Sequence, residues 1–216
     1  MTNLTIEPKK VPNNYLIQSS FKHHEVCQPQ TPIAKMQRIL ILGSSGSGKS
    51  TLARELGAAL DLPIVHLDQH FWHSGWVKTP HQQWEPIVNN LVQQKKWILD
   101  GNYRRTLDAR LQAADTAVFL DLPAWLCIYR AIKRRIQYVN QPRPDIAEGC
   151  QERLFDPKFP YFLSHIWRYS KRARPDVQAK LQNLAPEKRV IWLQNTAQVE
   201  AFLQNPLHPQ FVKRPA

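Results

Sequence analysis

The chain is poor in cysteine. Its 216 residues include only Cys27, Cys127 and Cys150, an odd number at wide spacing, which fits neither a disulfide framework nor a Cys-x-x-Cys metal knuckle. No run approaches the ~20 apolar residues of a membrane span, and the N-terminus has no apolar signal-peptide core. A reducing, cytoplasmic setting without a membrane partner is the expectation. Internal repeats and low-complexity tracts are absent too. Acidic residues are few, 17 against 29 lysines and arginines, for a formal charge of +12. With 43% hydrophobic and 21% charged residues, the length suits one well-buried domain.

The basic excess is local. Residues 130–174 hold eleven lysines and arginines against four acids, which is +7 of the total. Such a segment serves either as a polyanion surface for nucleic acid or as a set of arginines converging on transferred phosphates.

Residues 1–35 show no periodic apolar pattern and contain Pro8, Pro12, Pro29 and Pro32, which predicts a flexible leader and makes Met36 the candidate first residue of the domain. From there apolar runs alternate with helical stretches. Strands are predicted at 38–42, 63–67, 97–99, 116–120 and 189–193. Helices are predicted at 49–60, 81–94, 104–113, 124–138 and 197–203, with a proline-broken basic helical region before the last strand. This alternation predicts an α/β fold with a doubly wound, five-stranded parallel sheet over 36–205, followed by a tail at 206–216. Ligands in such sheets bind at the carboxyl ends of the strands.

The most specific motif is Gly43-Ser44-Ser45-Gly46-Ser47-Gly48-Lys49-Ser50, directly after Ile39-Leu40-Ile41-Leu42 and before Thr51-Leu52-Ala53-Arg54. This is a P-loop in its required strand-loop-helix setting. Its backbone N–H groups and the helix N-terminus suit a triphosphate. Lys49 is expected to bridge the β- and γ-phosphates of ATP, and the Ser50 hydroxyl to ligate Mg²⁺.

Three further predicted strands run into aspartates: Asp68, Asp100 and Asp121. Asp100 is placed to hold water ligands of Mg²⁺, and Asp68 to take a proton from an acceptor hydroxyl. Aspartates in strand-to-helix loops also serve as N-caps. His66, Asp68 and His70 alternate as metal ligands on one strand face might, although beside a P-loop that reading ranks low. Trp72, His73, Gly75, Trp76 and Trp84 occupy the acceptor side, where aromatic rings either stack on a bound ring or pack into the core.

From Met36 to about Leu203 the chain resembles the adenylate-kinase-like P-loop kinases, and most closely the bacterial DNA topology modulation proteins. The nearer likeness is carried by Leu67-Asp68, Phe71-Trp72, Gly75-Trp76, the run Trp97–Tyr103, Gly149-Cys150 and Glu152-Arg153. Asp100-Gly101-Asn102-Tyr103-Arg104-Arg105-Thr106 is similar to the Asp-Gly-Phe-Pro-Arg signature of nucleotide monophosphate kinases, with Asn102-Tyr103 where that family has Phe-Pro. Leu122-Pro123 leading to Arg130 and Arg134-Arg135 resembles the helix entering their lid. The resemblance implies a lid over about 130–155, with Arg130 stacking on adenine, Arg134 reaching the phosphates, and Arg143 and Arg153 closing from the far side. Lys158, Arg168, Lys171, Arg172 and Arg174, beyond it, are expected on the surface or against nucleic acid.

Three functions remain open: a kinase transferring the γ-phosphate of Mg-ATP to a small-molecule acceptor, with Asp68 as base and Arg104 or Arg105 holding an anionic acceptor; an ATP-dependent nucleic-acid protein; and a nucleotide-binding regulator. A lid with several arginines favours the kinase.

Overall fold

Strands that are apolar at every position, rather than at alternate ones, suit a sheet covered on both faces. The computed structural model, which describes residues 36–212, forms such a sheet. In chain order its elements are β1 (Arg38–Gly43), α1 (Lys49–Leu60), β2 (Ile64–His66), α2 (Leu67–Phe71), β3 (Trp72–His73), β4 (Val77–Lys78), α3 (His81–Val92), β5 (Trp97–Asp100), α4 (Leu107–Ala113), β6 (Thr116–Leu120), α5 (Ala124–Gln137), α6 (Phe159–Arg172), α7 (Arg174–Gln182), β7 (Arg189–Leu193) and α8 (Thr196–Gln204). The expected leader, 1–35, lies outside the described residues.

The sheet has five strands in the order β2-β5-β1-β6-β7, all parallel. The chain runs out to β2, returns to β5 beside β1, then crosses β1 to reach β6. That reversal is the topological switch point, where doubly wound sheets open a ligand crevice. The register puts Ile41 between Asp100 and Val118, so the P-loop and the Asp100 strand end emerge side by side.

Side chains along β1 divide between two cores. Ile39 and Ile41 join Leu52, Leu56, Ile191 and Phe202 under α1 and α8. Leu40 and Leu42 join Trp84, Val88, Leu107, Leu111 and Leu181 under α3, α4 and α7. Burial of both faces anchors the strand ends and gives the loops above them a rigid base.

Three expectations change. The second strand stops at His66, and Asp68 lies in the first turn of α2. Asp68 and His70 therefore do not alternate with His66 on a strand face, and among the described residues no group of His, Cys, Asp and Glu is arranged to hold a metal ion. Residues 72–78 form a two-stranded antiparallel hairpin, with Trp72 opposite Lys78 and His73 opposite Val77. The described part of the tail packs onto the domain, because Phe211 meets Phe202 edge-on at 5.4 Å and Val212 bridges Ile191.

Candidate active site

The P-loop turns where only glycine fits. Gly46 has φ 80°, and a Cβ there would run into the Cys127 carbonyl of α5; Gly48, at φ 99°, opens α1. Inside the loop the Lys49 Nζ donates to the Ser44 carbonyl at 2.9 Å. Burial pulls the Lys49 ammonium below the usual lysine value, against the opposing charges of Asp100 and Asp68. The Ser44 and Ser47 hydroxyls are buried without a hydrogen-bond partner. Unpaired buried donors beside a lysine and a helix N-terminus fit a phosphate group, so these residues suit the triphosphate that the motif implies.

The long helix α5 closes the loop from outside. Arg130 donates to the Ser47 carbonyl at 3.1 Å and to the Thr196 hydroxyl at 3.4 Å, which sets it over the P-loop beside the start of α8. One turn on, Arg134 is largely buried, and its Nε has no partner. Burial and the charge of Arg143 lower its pKa, while Asp145, Glu152 and Asp68 raise it. Arg134 is thus a cation set between Arg143 and the carboxylates of Asp145, Glu152 and Asp68.

Across the cleft, Asp68 accepts a hydrogen bond from the Tyr103 hydroxyl at 2.5 Å. Burial raises the Asp68 carboxyl above the ordinary range, although the Tyr103 hydrogen bond and Lys49 favour its ionised form. Asp100, 4% exposed, bonds the His66 Nδ1 at 2.8 Å. Burial disfavours the His66 imidazolium, but the Asp100 hydrogen bond and charge, with Asp145, leave its pKa above the usual histidine value. Gly101–Tyr103, between these carboxylates, is clamped by Arg110. Its guanidinium, fully buried, donates to the carbonyls of Gly101 (2.7 Å), Asn102 (3.3 Å) and Tyr103 (2.7 Å), and its Nε to Thr106 (3.2 Å). The sequence reading missed Arg110, although an arginine on the same helical face as Leu107 and Leu111 was the available signal. Asn102 then reaches the P-loop, accepting from the Gly43 N–H at 3.4 Å.

The expected lid begins with α5, but beyond Tyr138 it is a strap without regular helix as far as α6. Its ends meet where Val139 bridges Glu152. Arg143, with its side chain 3% exposed, donates to both Asp145 oxygens at 3.2 and 2.9 Å and to Glu152 at 2.6 Å. Paired this way, Arg143 organises the strap, and its fork is not open to a phosphate as the resemblance had implied. Asp145 is held down to a pKa of about 2, against its burial, chiefly by Arg143. Arg135 pairs with Glu152 at 3.5 Å, donates to the Arg153 carbonyl and lies 4.1 Å over the Phe159 ring. Arg153 itself is exposed.

The tip of this strap docks on the hairpin of residues 72–78. Gly75 N–H donates to Gly149 O at 3.1 Å, Cys150 Sγ to His73 O at 3.1 Å, Trp76 Nε1 to Gln151 O at 3.1 Å, and Gln69 Nε2 to Pro144 O at 2.7 Å. Gly149 has φ 79°, and a Cβ on it would meet the Ser74 hydroxyl. Trp84 is core, packed edge-on to Phe71 at 5.0 Å, whereas Trp76 is partly exposed and meets Trp72 at 5.5 Å.

Other expected site residues lie elsewhere. Arg104 turns to Asp176 at 3.2 Å, and Arg105 is exposed. Asp121 is engaged away from the P-loop residues: it accepts two hydrogen bonds from Arg174, at 2.7 and 2.8 Å, and one from the Trp192 ring N–H at 3.0 Å. Arg174 is therefore at the surface, with its side chain 36% exposed, and paired with Asp121.

No protein-family model matches the chain, and no curated protein matches it. Solved structures do. A shikimate kinase from Acinetobacter baumannii in complex with shikimate superposes with a TM-score of 0.52 at 16% identity, over 80% of this chain and 91% of that one. A gluconokinase from Sinorhizobium meliloti gives 0.42 at 14% identity, over 80% and 94%. A deoxyadenosine kinase from M. mycoides with bound dCTP gives 0.40 at 14%, over 78% and 97%. The chain has the P-loop kinase fold, an α/β architecture around a five-stranded parallel sheet.

Proposed function

We propose that the protein is a kinase that transfers the γ-phosphate of Mg-ATP to a hydroxyl of a small molecule. The observation that carries this reading is the meeting of two chemistries in one cleft. The Asp68 carboxylate lies within electrostatic reach of Lys49, the P-loop lysine, with Arg134 on the same side. A nucleotide-binding regulator would have no use for a half-buried carboxylate opposite its phosphate loop.

In this reading the P-loop backbone, Lys49, Ser50, Thr51 and Arg130 would hold the nucleotide, and Ser50 and Asp100 would hold Mg²⁺. Mg-ATP supplies the phosphoryl group. Asp68 accepts the proton of the acceptor hydroxyl, and its raised pKa makes it a better base than an exposed aspartate. Tyr103 orients that carboxylate. Lys49 and Arg134 stabilise charge on the transferred group, and the strap excludes water.

The arginines also bear on the acceptor. Arg104 is engaged by Asp176, Arg110 by backbone carbonyls and Arg143 by two carboxylates. An uncharged hydroxyl compound, a nucleoside or a polyol, suits Asp68 and the rings of Trp72 and Trp76 better than a nucleotide or carboxylate does.

The nearer likeness to DNA topology modulation proteins stays part of this proposal, as does the nucleic-acid alternative. Against that alternative, Arg130, Arg134, Arg135, Arg143 and Arg174, five of the eleven cations of 130–174, are buried or engaged within the domain. A coupled ADP-release screen over nucleosides, nucleotides and polyols, with DNA as one well, is the test. Turnover with an uncharged hydroxyl compound, a drop for Asp68→Asn and an altered Mg²⁺ dependence for Asp100→Asn are the expected results. Stimulation by DNA alone would overturn the kinase reading.

A further inference from the structure

Helix α5 is the most arginine-rich element of the chain, yet its outer face is apolar. Arg130 is spent on the Ser47 carbonyl, Arg134 is largely buried, and Arg135 is 6% exposed against Glu152 and Phe159. With its arginines turned inward, the helix presents Trp125 (65% exposed), Tyr129 (59%), Ile132 (37%) and Ile136 (62%) to the outside. These positions, at i, i+4, i+7 and i+11, form one stripe about 16 Å long. Lys133 and Gln137 are the other exposed residues between Trp125 and Gln137, and together with Tyr129, Ile132 and Ile136 they line a shallow groove.

We propose that this face is the interface of a twofold homodimer. Three arguments select a second copy of the chain as the occupant. The first is charge. One cation among six exposed residues is far short of the 4–8 that an anionic lipid surface attracts, and of the several that a nucleic-acid backbone needs. The second is shape. A stripe with its centre between Tyr129 and Ile132 is self-complementary when two helices cross antiparallel, so Trp125 of one subunit covers Ile136 of the other and Tyr129 covers Ile132. The third is area. Two aromatic and two aliphatic side chains at these exposures offer roughly 400 Å² per subunit, the scale of the largest apolar patch on a typical monomer, which is often functional. With the Lys133 stem, Gln137 and the flanking turns, the pair reaches the ~1,200 Å² at which stable interfaces begin.

The interface would back directly on the catalytic cleft, because the opposite face of the same helix carries Arg130 and Arg134. Pairing two copies of α5 would stiffen the element that positions both arginines over the P-loop.

Sedimentation of the full chain at tens of micromolar tests the proposal. A dimer of twice the 25.2 kDa chain mass is expected. Replacing both Ile132→Glu and Ile136→Glu should weaken dimerisation at least 100-fold while leaving the far-UV circular dichroism spectrum native and the chain able to bind nucleotide; the melt should fall only by the stabilisation that the lost partner supplied. A second variant, Ile132→Cys with a short bis-maleimide, should give a cross-linked dimer above the parent's background, and it keeps the proposal testable if the charged variant does not fold. A monomeric parent, or a dimer unaffected by the double substitution, would overturn it. So would a parent that stays monomeric but binds anionic vesicles or DNA through the same residues.

Discussion

The proposed nucleotide side of the cleft comes from one stretch of chain, Gly43–Thr51, joined by Arg130 and Arg134 from α5. The proposed acceptor side gathers distant segments: Tyr103 meets Asp68 across 35 residues, and Gln69 and Trp76 meet the strap across 75. The nucleotide side holds its shape through backbone turns that glycine alone permits. The acceptor side holds its shape through side-chain hydrogen bonds and buried ion pairs, in which removing one partner leaves another unpaired at a cost of about 3–5 kcal/mol. Damage to the P-loop should therefore abolish chemistry outright. Damage to the strap or hairpin should change acceptor use while nucleotide binding survives.

The sharpest way to break this contrast is Lys49→Ala. On the proposed mechanism, turnover in a coupled ADP-release assay falls by about 10³-fold, as expected for losing a charge-stabilising donor. Wild-type turnover in that variant would remove the P-loop from the mechanism.

Asp68→Asn should lower transfer by about 10²-fold with nucleotide affinity retained. It carries a second signature. Burial raises the Asp68 pKa in the folded protein, so ionising it costs stability as pH rises from its unfolded value near 3.8 through the raised folded value. The asparagine variant should melt higher than the parent at pH 7, and the gap should close below about pH 4. An equal melting temperature at pH 7 would contradict the burial of this carboxylate.

Gly149→Val tests the docking of strap on hairpin. Its positive φ and the Ser74 contact leave no room for a side chain. The acceptor KM should rise about tenfold from misplacement of the acceptor arm, with the Kd for nucleotide unchanged. Loss of nucleotide binding instead would mean that the two sides are not separable. The smallest effect is expected for Arg104→Ala. Its pair with Asp176 is solvent-exposed, so stability should fall by no more than about 1 kcal/mol and the acceptor KM should not move. A large KM increase would return Arg104 to the acceptor site.

How much could be read beforehand follows the same division. The strands 116–120 and 189–193 and the helix 49–60 have the bounds the pattern predicts, because aliphatic runs and a P-loop are local signals. The apolar pattern makes the second strand too long, since Leu67 continues the run although it opens α2. The hairpin went unread because two-residue strands leave no periodicity, and only the Ser74-Gly75 turn marks it. Arg104 was assigned by its place in a signature, yet the distant Asp176 decides its direction.

The sequence by itself determined the phosphate loop, which depends on neighbouring residues and on backbone conformations that favour glycine, and the strand-helix alternation from which a parallel sheet follows, since each apolar run is a local signal. The tertiary structure alone decided which arginines face the cleft, which carboxylates are spent on ion pairs, and that the strap rests on the hairpin. A long charged side chain has several partners within reach, and the choice among them depends on which ones folding brings close and shields from water.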